Sequence, residues 1–265
     1  MITWVLERSS QEHRIDVNQK IIERVEQTGH KWVEIQIVPF ERSVVGGDPI
    51  IEGPVVAFGS TAIRTVVDRN GWTPGIWDVE DVRESRVAAA LGPLYMNADL
   101  QVVPAMEATQ VALERGWEYF FAKPDTDDKE FPGTVFDPQK YPFFMEALIA
   151  NMWDKHEFNV CVSSIKQIGI EWRLPVVDGR VVDYSIYRQW RRVMPSREIY
   201  DEVLECAAKA IALHNPAPAY VIDIGQVDGE LKVIEYNGFN SAGLYACNIA
   251  NVVDAINNMV EQSRA

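Results

Sequence analysis

The spacing of apolar residues changes along the chain, and each change marks an element. Residues 2–6 (ITWVL) are an apolar run that predicts a strand. Over residues 11–28, Ile15, Val17, Ile21, Ile22 and Val25 recur near a helical period. WVEIQIVPF (32–40) alternates and predicts a second strand. GPVVAFGS (53–60) predicts a third, followed by a helix over STAIRTVVDR with Ser60 as its candidate cap. Strands alternating with helices predict an α/β layer ending near residue 100.

A different pattern follows. Residues 104–115 and 142–152 predict helices, and WEYFFAKP (117–124) predicts a strand ending at Lys-Pro before the polar loop DTDDKEFPG. FNVCVSSI (158–165) and IEWRLPVVDGRVVDYSIYR (170–188) are strand-like, the latter folded on an Asp-Gly turn. Residues 197–214 predict a helix with Ile199, Val203, Leu204, Ala207 and Ile211 on one side, and residues 246–262 predict a C-terminal helix. Between them, YVIDIGQVDGELKVIEYNGF (220–239) predicts a second Asp-Gly hairpin. No internal repeat is present.

Composition narrows the class. The chain has 265 residues, 47% of them hydrophobic, enough for two small domains that share a core. A net charge of −14 argues against a nucleic-acid groove, which needs a basic footprint, while leaving room for a local basic pocket. Three scattered cysteines (161, 206, 247) make neither a disulfide framework nor a zinc motif. The N-terminus meets charge too early for a signal peptide, and no apolar run is long enough to span a membrane. A reducing cytoplasm is the expected compartment. Trp72, Trp77 and Tyr95 read as core, and the four histidines (13, 30, 156, 214) as structural or surface residues.

The 220–239 hairpin carries acids where apolar residues are expected. A two-residue turn at Asp228-Gly229 would pair residue 223 with 234 and send Asp223 and Glu235 to opposite faces. A loop of odd length, or a bulge, puts both on one face, and Asn237 shares the face of Glu235. Two carboxylates and an amide on one surface suit a hard cation such as Mg²⁺; an ordinary solvated sheet face is the other reading. Four cations stand near strand ends: Lys123, Lys129, Arg173 and Arg188. Singly, each reads as a surface charge or an ion-pair partner; together, beside an acidic hairpin, they suggest a nucleotide with its metal. Neither a Walker loop nor a Gly-x-Gly-x-x-Gly fingerprint is present.

The order FFAKPDTDDKEFPG, SSIKQIGIEWRLPVVDGRVVDYSIYR, AYVIDIGQVDGELKVIEYNGFNSAG resembles the ATP-grasp fold, and more narrowly its clade marked by two arginines and a lysine. PVVAFGST and LGPLYMNAD are similar to that clade's pre-ATP-grasp module, so the resemblance covers most of the chain. It implies a mixed α/β (α+β) protein: a substrate-side module over residues 1–100, then an ATP-grasp domain over 101–265. That domain would comprise two α+β subdomains with largely antiparallel sheets, 101–165 and 166–265, the second carrying the metal site.

By this resemblance Lys123 and Lys129 reach the nucleotide phosphates, and Ser163, Ser164, Ile165 and Lys166 form the adenine hinge, without the acidic residue many such hinges show. Arg173 and Arg188 act at the transferred phosphoryl group. Asp223, Glu235 and Asn237 hold magnesium. Asn240, Ser241 and Gly243 lie in a loop facing the acceptor, with Ala-Gly where many ligases have Pro-Gly. The implied activity is an ATP- and Mg²⁺-dependent carboxylate–amine ligase working through an acyl phosphate on small-molecule or peptide substrates. The alternatives are a phosphotransferase on the same fold and a nucleotide-binding protein without ligase chemistry. Nothing in the sequence sets the oligomeric state.

Overall fold

The computed structural model describes residues 1–39, 41–77, 83–125, 130–152, 158–190 and 192–263. It holds three sheets. The first is parallel and is built from β1 (Thr3–Glu7), β2 (Lys31–Ile35), β3 (Val55–Phe58) and β4 (Pro74–Gly75) in the order β2-β1-β3-β4. Helix α1 (Glu12–Gln27) links β1 to β2, and α2 (Ile63–Asn70) links β3 to β4. Side chains of a strand alternate faces, and here both faces are covered. Trp4, Leu6, Val56 and Phe58 enter one core with Val17, Ile21 and Val25 of α1. Val5, Val55 and Ala57 enter another with Ile63, Val66 and Val67 of α2.

β2 is shorter than the alternation over 32–40 suggests. After Ile35 the chain turns back on itself, with Ile37 bridging Val44 and Val38 N–H bonding the Ser43 carbonyl, so the remaining polar groups pair locally. Ser60 Oγ accepts the Ala62 N–H at 3.2 Å just ahead of α2. Helix α3 (Glu84–Leu91), which the hydrophobic pattern does not single out, packs Val87 and Leu91 into the first core.

The second sheet is antiparallel: β5 (Gln101–Pro104), β6 (Phe120–Pro124), β7 (Thr134–Phe136) and β8 (Asn159–Ser163) in the order β5-β8-β6-β7. With α4 (Ala108–Glu114) and α5 (Tyr141–Ala150) it encloses a separate core around Phe120, Phe131, Phe136 and Tyr141.

The third sheet carries β9 (Ile168–Val177), β10 (Arg180–Val181), β11 (Ser185–Gln189), β12 (Arg192–Ser196), β13 (Ala219–Val227) and β14 (Glu230–Gly238). Its order is β12-β11-β9-β13-β14, with β10 folded back on β9. Even-numbered residues of β9 and β13 (Trp172, Leu174, Val176, Ile222, Ile224) join the first core, with α6 (Asp201–Leu213) and α7 (Ile249–Gln262) contributing to it. The N-terminal sheet and the last sheet therefore share one core. Trp4 Nε1 donates to Asn257 of α7 at 2.9 Å, and Arg24 of α1 forms a two-pronged pair with Asp254.

The β13–β14 hairpin combines a two-residue turn with a bulge. Asp228 and Gly229 both take positive φ, 48° and 89°, and Val227 pairs with Glu230, as in the turn that matches strand twist. Pairing then shifts: Ile224 faces Val233 while Asp223 faces Glu235, leaving Ile234 as the extra residue. Val233 and Tyr236 both reach the core, and Glu235 and Asn237 follow on the opposite face with Asp223. Gly225 makes the bulge possible, because a Cβ there would lie 2.4 Å from Ile234 Cδ1. Gly225→Ala is expected to lower the unfolding free energy by about 1–3 kcal/mol through overpacking. Urea unfolding checks this, and an unchanged midpoint would show that Ile234 can move aside freely.

Candidate functional site

The third sheet's uncovered face carries a row of charge set by strand register. Arg173 on β9 lies opposite Asp223 on β13, which lies opposite Glu235 on β14. Arg173 is nearly buried, and its guanidinium grips Asp223 with two bonds, Nε to Oδ1 at 2.8 Å and Nη2 to Oδ2 at 2.6 Å. Its third nitrogen donates to the Gly243 carbonyl at 3.2 Å. The rings of Tyr187 and Tyr245 stack on each other, and the guanidinium sits 4.9 and 5.3 Å from their centres. Asn237 Nδ2 donates to Asp223 at 3.3 Å and to Glu235 at 3.1 Å.

The row continues into the second sheet. Lys123 on β6 donates to Glu84 at the start of α3 at 2.5 Å and lies 3.8 Å from Glu235. The Tyr95 hydroxyl donates to the other oxygen of Glu84. The next residue of α3, Ser85, gives its N–H and hydroxyl to Asp125, which also accepts from the Cys161 thiol. At the opposite end, Arg188 on β11 is exposed, 3.6 Å from buried Glu171, with its guanidinium 5.5 Å from the Tyr187 ring that also supports Arg173. Glu171 accepts the Tyr187 hydroxyl at 2.5 Å. Arg188, Glu171, Tyr187, Arg173, Asp223, Asn237, Glu235, Lys123 and Glu84 thus form one linked series of polar contacts.

The environment sets the charges. Burial pushes the Asp223 carboxyl up to about 6, against the pull of Arg173. Burial also pushes Glu235 upward, but Lys123, the Asn237 amide and Arg173 together hold it below the usual carboxylate range. Burial raises Glu84 despite its lysine. Lys123 and Arg173 are both desolvated, yet their carboxylates hold them above their ordinary values and keep them charged.

Other residues singled out in the sequence fall nearby. Ser163 is buried and donates to Asn97. Ser164 gives both its N–H and hydroxyl to Asp99, Lys166 donates to Asp99 at 2.7 Å, and Ile165 is exposed. The SSIK segment carries no acid of its own, and Asp99, 65 residues upstream of Ser164, is the carboxylate that stands against it. Asn240 is buried, and its amide is engaged by backbone: Nδ2 donates to Ala57 O at 2.5 Å and to Gly75 O at 3.4 Å, while Oδ1 accepts Trp77 N–H. It ties the loop after β14 to the first sheet. The Ser241 carbonyl accepts from Arg14, and the Gly243 carbonyl accepts from Arg173. Lys129 and His156 lie outside the described residues. Trp72, Trp77 and Tyr95 are buried, although Tyr95 also serves the charged row.

Glu84 stands in a short helix of ordinary composition and Tyr245 reads as loop polarity, so neither carries a usable signal in the sequence. Glu171 lies in the Glu-Trp-Arg of the motif order and Asp99 in LGPLYMNAD, but nothing in either stretch singles these acids out for a role. Tyr245 adopts φ +45°, a left-handed conformation costly for a bulky residue, and it stacks on His13 as well as Tyr187.

Residues 103–255 match the ATP-grasp domain of family 2 in the clade named for two arginines and a lysine, and the chain belongs to that family. No curated protein matches it. Among solved structures, D-alanine–D-alanine ligase from Bacillus anthracis superposes with a TM-score of 0.65 at 15% identity, covering 99% of this chain and 98% of that one. D-cycloserine synthetase DcsG gives 0.63 at 14%, covering 98% and 100%. The ATP-grasp ligase PsnB, complexed with precursor peptide PsnA2 and AMPPNP, gives 0.54 at 16%, covering 97% of each chain. The mixed α/β architecture, with a parallel N-terminal sheet and two antiparallel sheets, is the one these ligases share with this chain. Among the described residues no helix is long and apolar enough to cross a membrane, and the three cysteines are buried and unpaired.

Removing one member of the central pair strands the other. Arg173→Ala or Asp223→Ala is expected to destabilise the fold by about 3–5 kcal/mol. The double variant Arg173→Met/Asp223→Leu should be more stable than either single variant. Chemical denaturation of all three checks this; a double variant as weak as the sum of the singles would show that the pair is not the controlling interaction.

Proposed function

We propose that the chain is an ATP-dependent carboxylate–amine ligase working through an acyl phosphate. The observation that carries this reading is the linked row of charge that runs from Lys123 on one sheet through Glu235, Asp223 and Arg173 to Arg188 on another. Phosphoryl transfer calls for positioning and charge neutralisation rather than a protein nucleophile, and such a row offers both.

Lys123, with Lys129 from the following loop, would hold the nucleotide phosphates, and the 163–166 segment, braced by Asp99, would form the wall beside the base. Magnesium suits the donors by chemistry. Asn237 Nδ2 already spans both carboxylates, a position where a cation would satisfy the same two charges. Among the described residues no three His, Cys, Asp or Glu side chains converge as a metal site, so the amide is needed to complete the set. Glu235 and Asn237 would be the principal holders, since Asp223 already gives both its oxygens to Arg173. A bound magnesium would supply charge neutralisation for the phosphates.

In the reaction, a substrate carboxylate oxygen attacks the γ-phosphorus, the bond to the β–γ bridging oxygen breaks, and ADP leaves. An amine then attacks the acyl carbon, the C–O bond to phosphate breaks, phosphate departs, and the amine loses a proton. Arg173 is fixed against Asp223 and the two tyrosines, so it presents a preset positive charge. Arg188 is exposed and lightly held, so it is free to follow the transferred group.

A small-molecule phosphotransferase is the second reading, since the row is equally suited to leave phosphate on an acceptor. ADP and phosphate should form only when both an acid and an amine are supplied; a stable phosphorylated product would favour the phosphotransferase. Glu235→Gln should abolish ATP turnover in a phosphate-release assay while leaving the circular dichroism spectrum unchanged, and normal turnover would remove Glu235 from the site. Arg188→Ala is expected to lower kcat by about a hundredfold or more with little change in KM for ATP. A loss confined to KM would place Arg188 in ground-state binding.

A further inference from the structure

An amine that joins a carboxylate must lose a proton, and the carboxylates of the charged row are committed elsewhere. Asp223 is gripped by Arg173, Glu235 by Asn237 and Lys123, Glu84 by Lys123 and the Tyr95 hydroxyl, and Glu171 by Tyr187. At the end of β1, the Glu7 carboxylate accepts the Ser60 N–H. A carboxylate held by a cation or by hydrogen-bond donors is a weak base.

His13, in the first turn of α1, is differently placed. Its ring is parallel to that of Tyr245, with 4° between the planes and 6.4 Å between the centres. Tyr245 stacks in turn on Tyr187 at 5.2 Å, so the three rings make a column, and Arg173 and Arg188 both lie against its inner end. His13 is the outermost ring and is exposed. Among the described residues no hydrogen bond or ion pair engages its imidazole. The charged neighbours on its own helix are exposed Glu12, Arg14, which donates to the Gly59 and Ser241 carbonyls, and Asp16, which accepts from Lys20.

The column is held from several sides. The two bonds of Arg14 fix the first turn of α1 against the loop after β14. In that loop the Gly243 carbonyl accepts from Arg173, the Ala246 N–H donates to Ser185 Oγ, and the Ala246 carbonyl accepts from Arg197. A Cβ at Gly243 would come within 3.3 Å of the Tyr245 ring, so the glycine makes room for it. Tyr245 keeps φ +45° under these restraints, and such strain persists where the surroundings over-determine it, most often at functional sites.

We infer that His13 is the catalytic base that accepts the proton of the attacking amine, with Tyr245 holding its ring in place. The inference rests on the ligase reading and adds a proton acceptor to it. Imidazole is the side chain suited to exchanging protons near neutral pH. With the acyl phosphate held at Arg173 and Arg188, an amine arriving along the column has His13 beside it. The nitrogen lone pair attacks the acyl carbon, an N–H proton passes to an imidazole nitrogen, and the C–O bond to phosphate breaks with its electron pair leaving on phosphate. The imidazolium then gives the proton to water.

The test uses the full chain with ATP, Mg²⁺ and a pool of the standard L-amino acids with D-alanine, with and without hydroxylamine. Hydroxylamine is weakly basic and uncharged at neutral pH, so it captures an acyl phosphate as a hydroxamate without help from a base. In its absence, phosphate release reads transfer to the amines of the pool. His13→Gln and His13→Ala should slow phosphate release by about a hundredfold or more and leave hydroxamate formation within about twofold of the unsubstituted protein. Added imidazole should restore part of the release in His13→Ala. Release at the unsubstituted rate in both variants would overturn the inference. So would a loss of hydroxamate in step with release, because it places the role of His13 before amine attack. An unsubstituted protein that forms no hydroxamate and releases no phosphate with any acid of the pool would sink the ligase reading, and the inference with it.

Discussion

The buried pair of Arg173 and Asp223 is the constraint around which the rest of the site is arranged. Asp223 has no solvent exposure, and a carboxylate in that position is tolerable only with a close, well-aligned cation. Arg173 meets that need with a two-pronged bond, and its own burial is offset in turn by the Gly243 carbonyl and the Tyr187 and Tyr245 rings. Because the pair joins neighbouring strands of one sheet, it cannot shift without disturbing the register of β9 against β13. The position of the guanidinium is therefore a property of the sheet and not of a loop.

Lys123 belongs to another sheet and is placed by different means. Glu84 receives it on one side and Glu235 on the other, so the lysine spans two separately built cores. The same junction is secured by Ser85 on Asp125. Opposing charges supplied by different elements meet at this junction, and each of them is held by its partner across it.

Much of this is legible in the chain. The alternation in IEWRLPVV and VIDIG places Arg173 and Asp223 on the same kind of strand, and a cation in an apolar run needs an anionic partner. The parity of the 220–239 hairpin requires a bulge or an odd loop, and the bulge at Ile234 is what the chain uses. The long helices show because their apolar period is strong. What stays hidden depends on contacts distant in sequence. Glu84 and Asp99 join the polar contacts around the candidate site because α3 and the segment before β5 are laid against residues later in the chain; ESRVAAAL announces nothing of this, and LGPLYMNAD carries the resemblance without singling out its acid. β12 is invisible to the pattern because RVMPS is an edge strand with mostly exposed side chains and a proline, so it has no buried face to impose a period.

The core shared by the first and last helices bears on how the protein is made. Ile2, Trp4, Leu6 and the inner face of α1 are sealed by Val252, Val253, Ile256 and Val260 of α7 and by the strands just before it. The inner face of the first sheet is covered in part by α1, and it is closed by α7 and by strands far along the chain. Among the described residues, the core of the middle sheet draws on residues 103–162 alone. Contacts so close in sequence form faster than distant ones, so the middle sheet is expected to close before the first sheet is sealed.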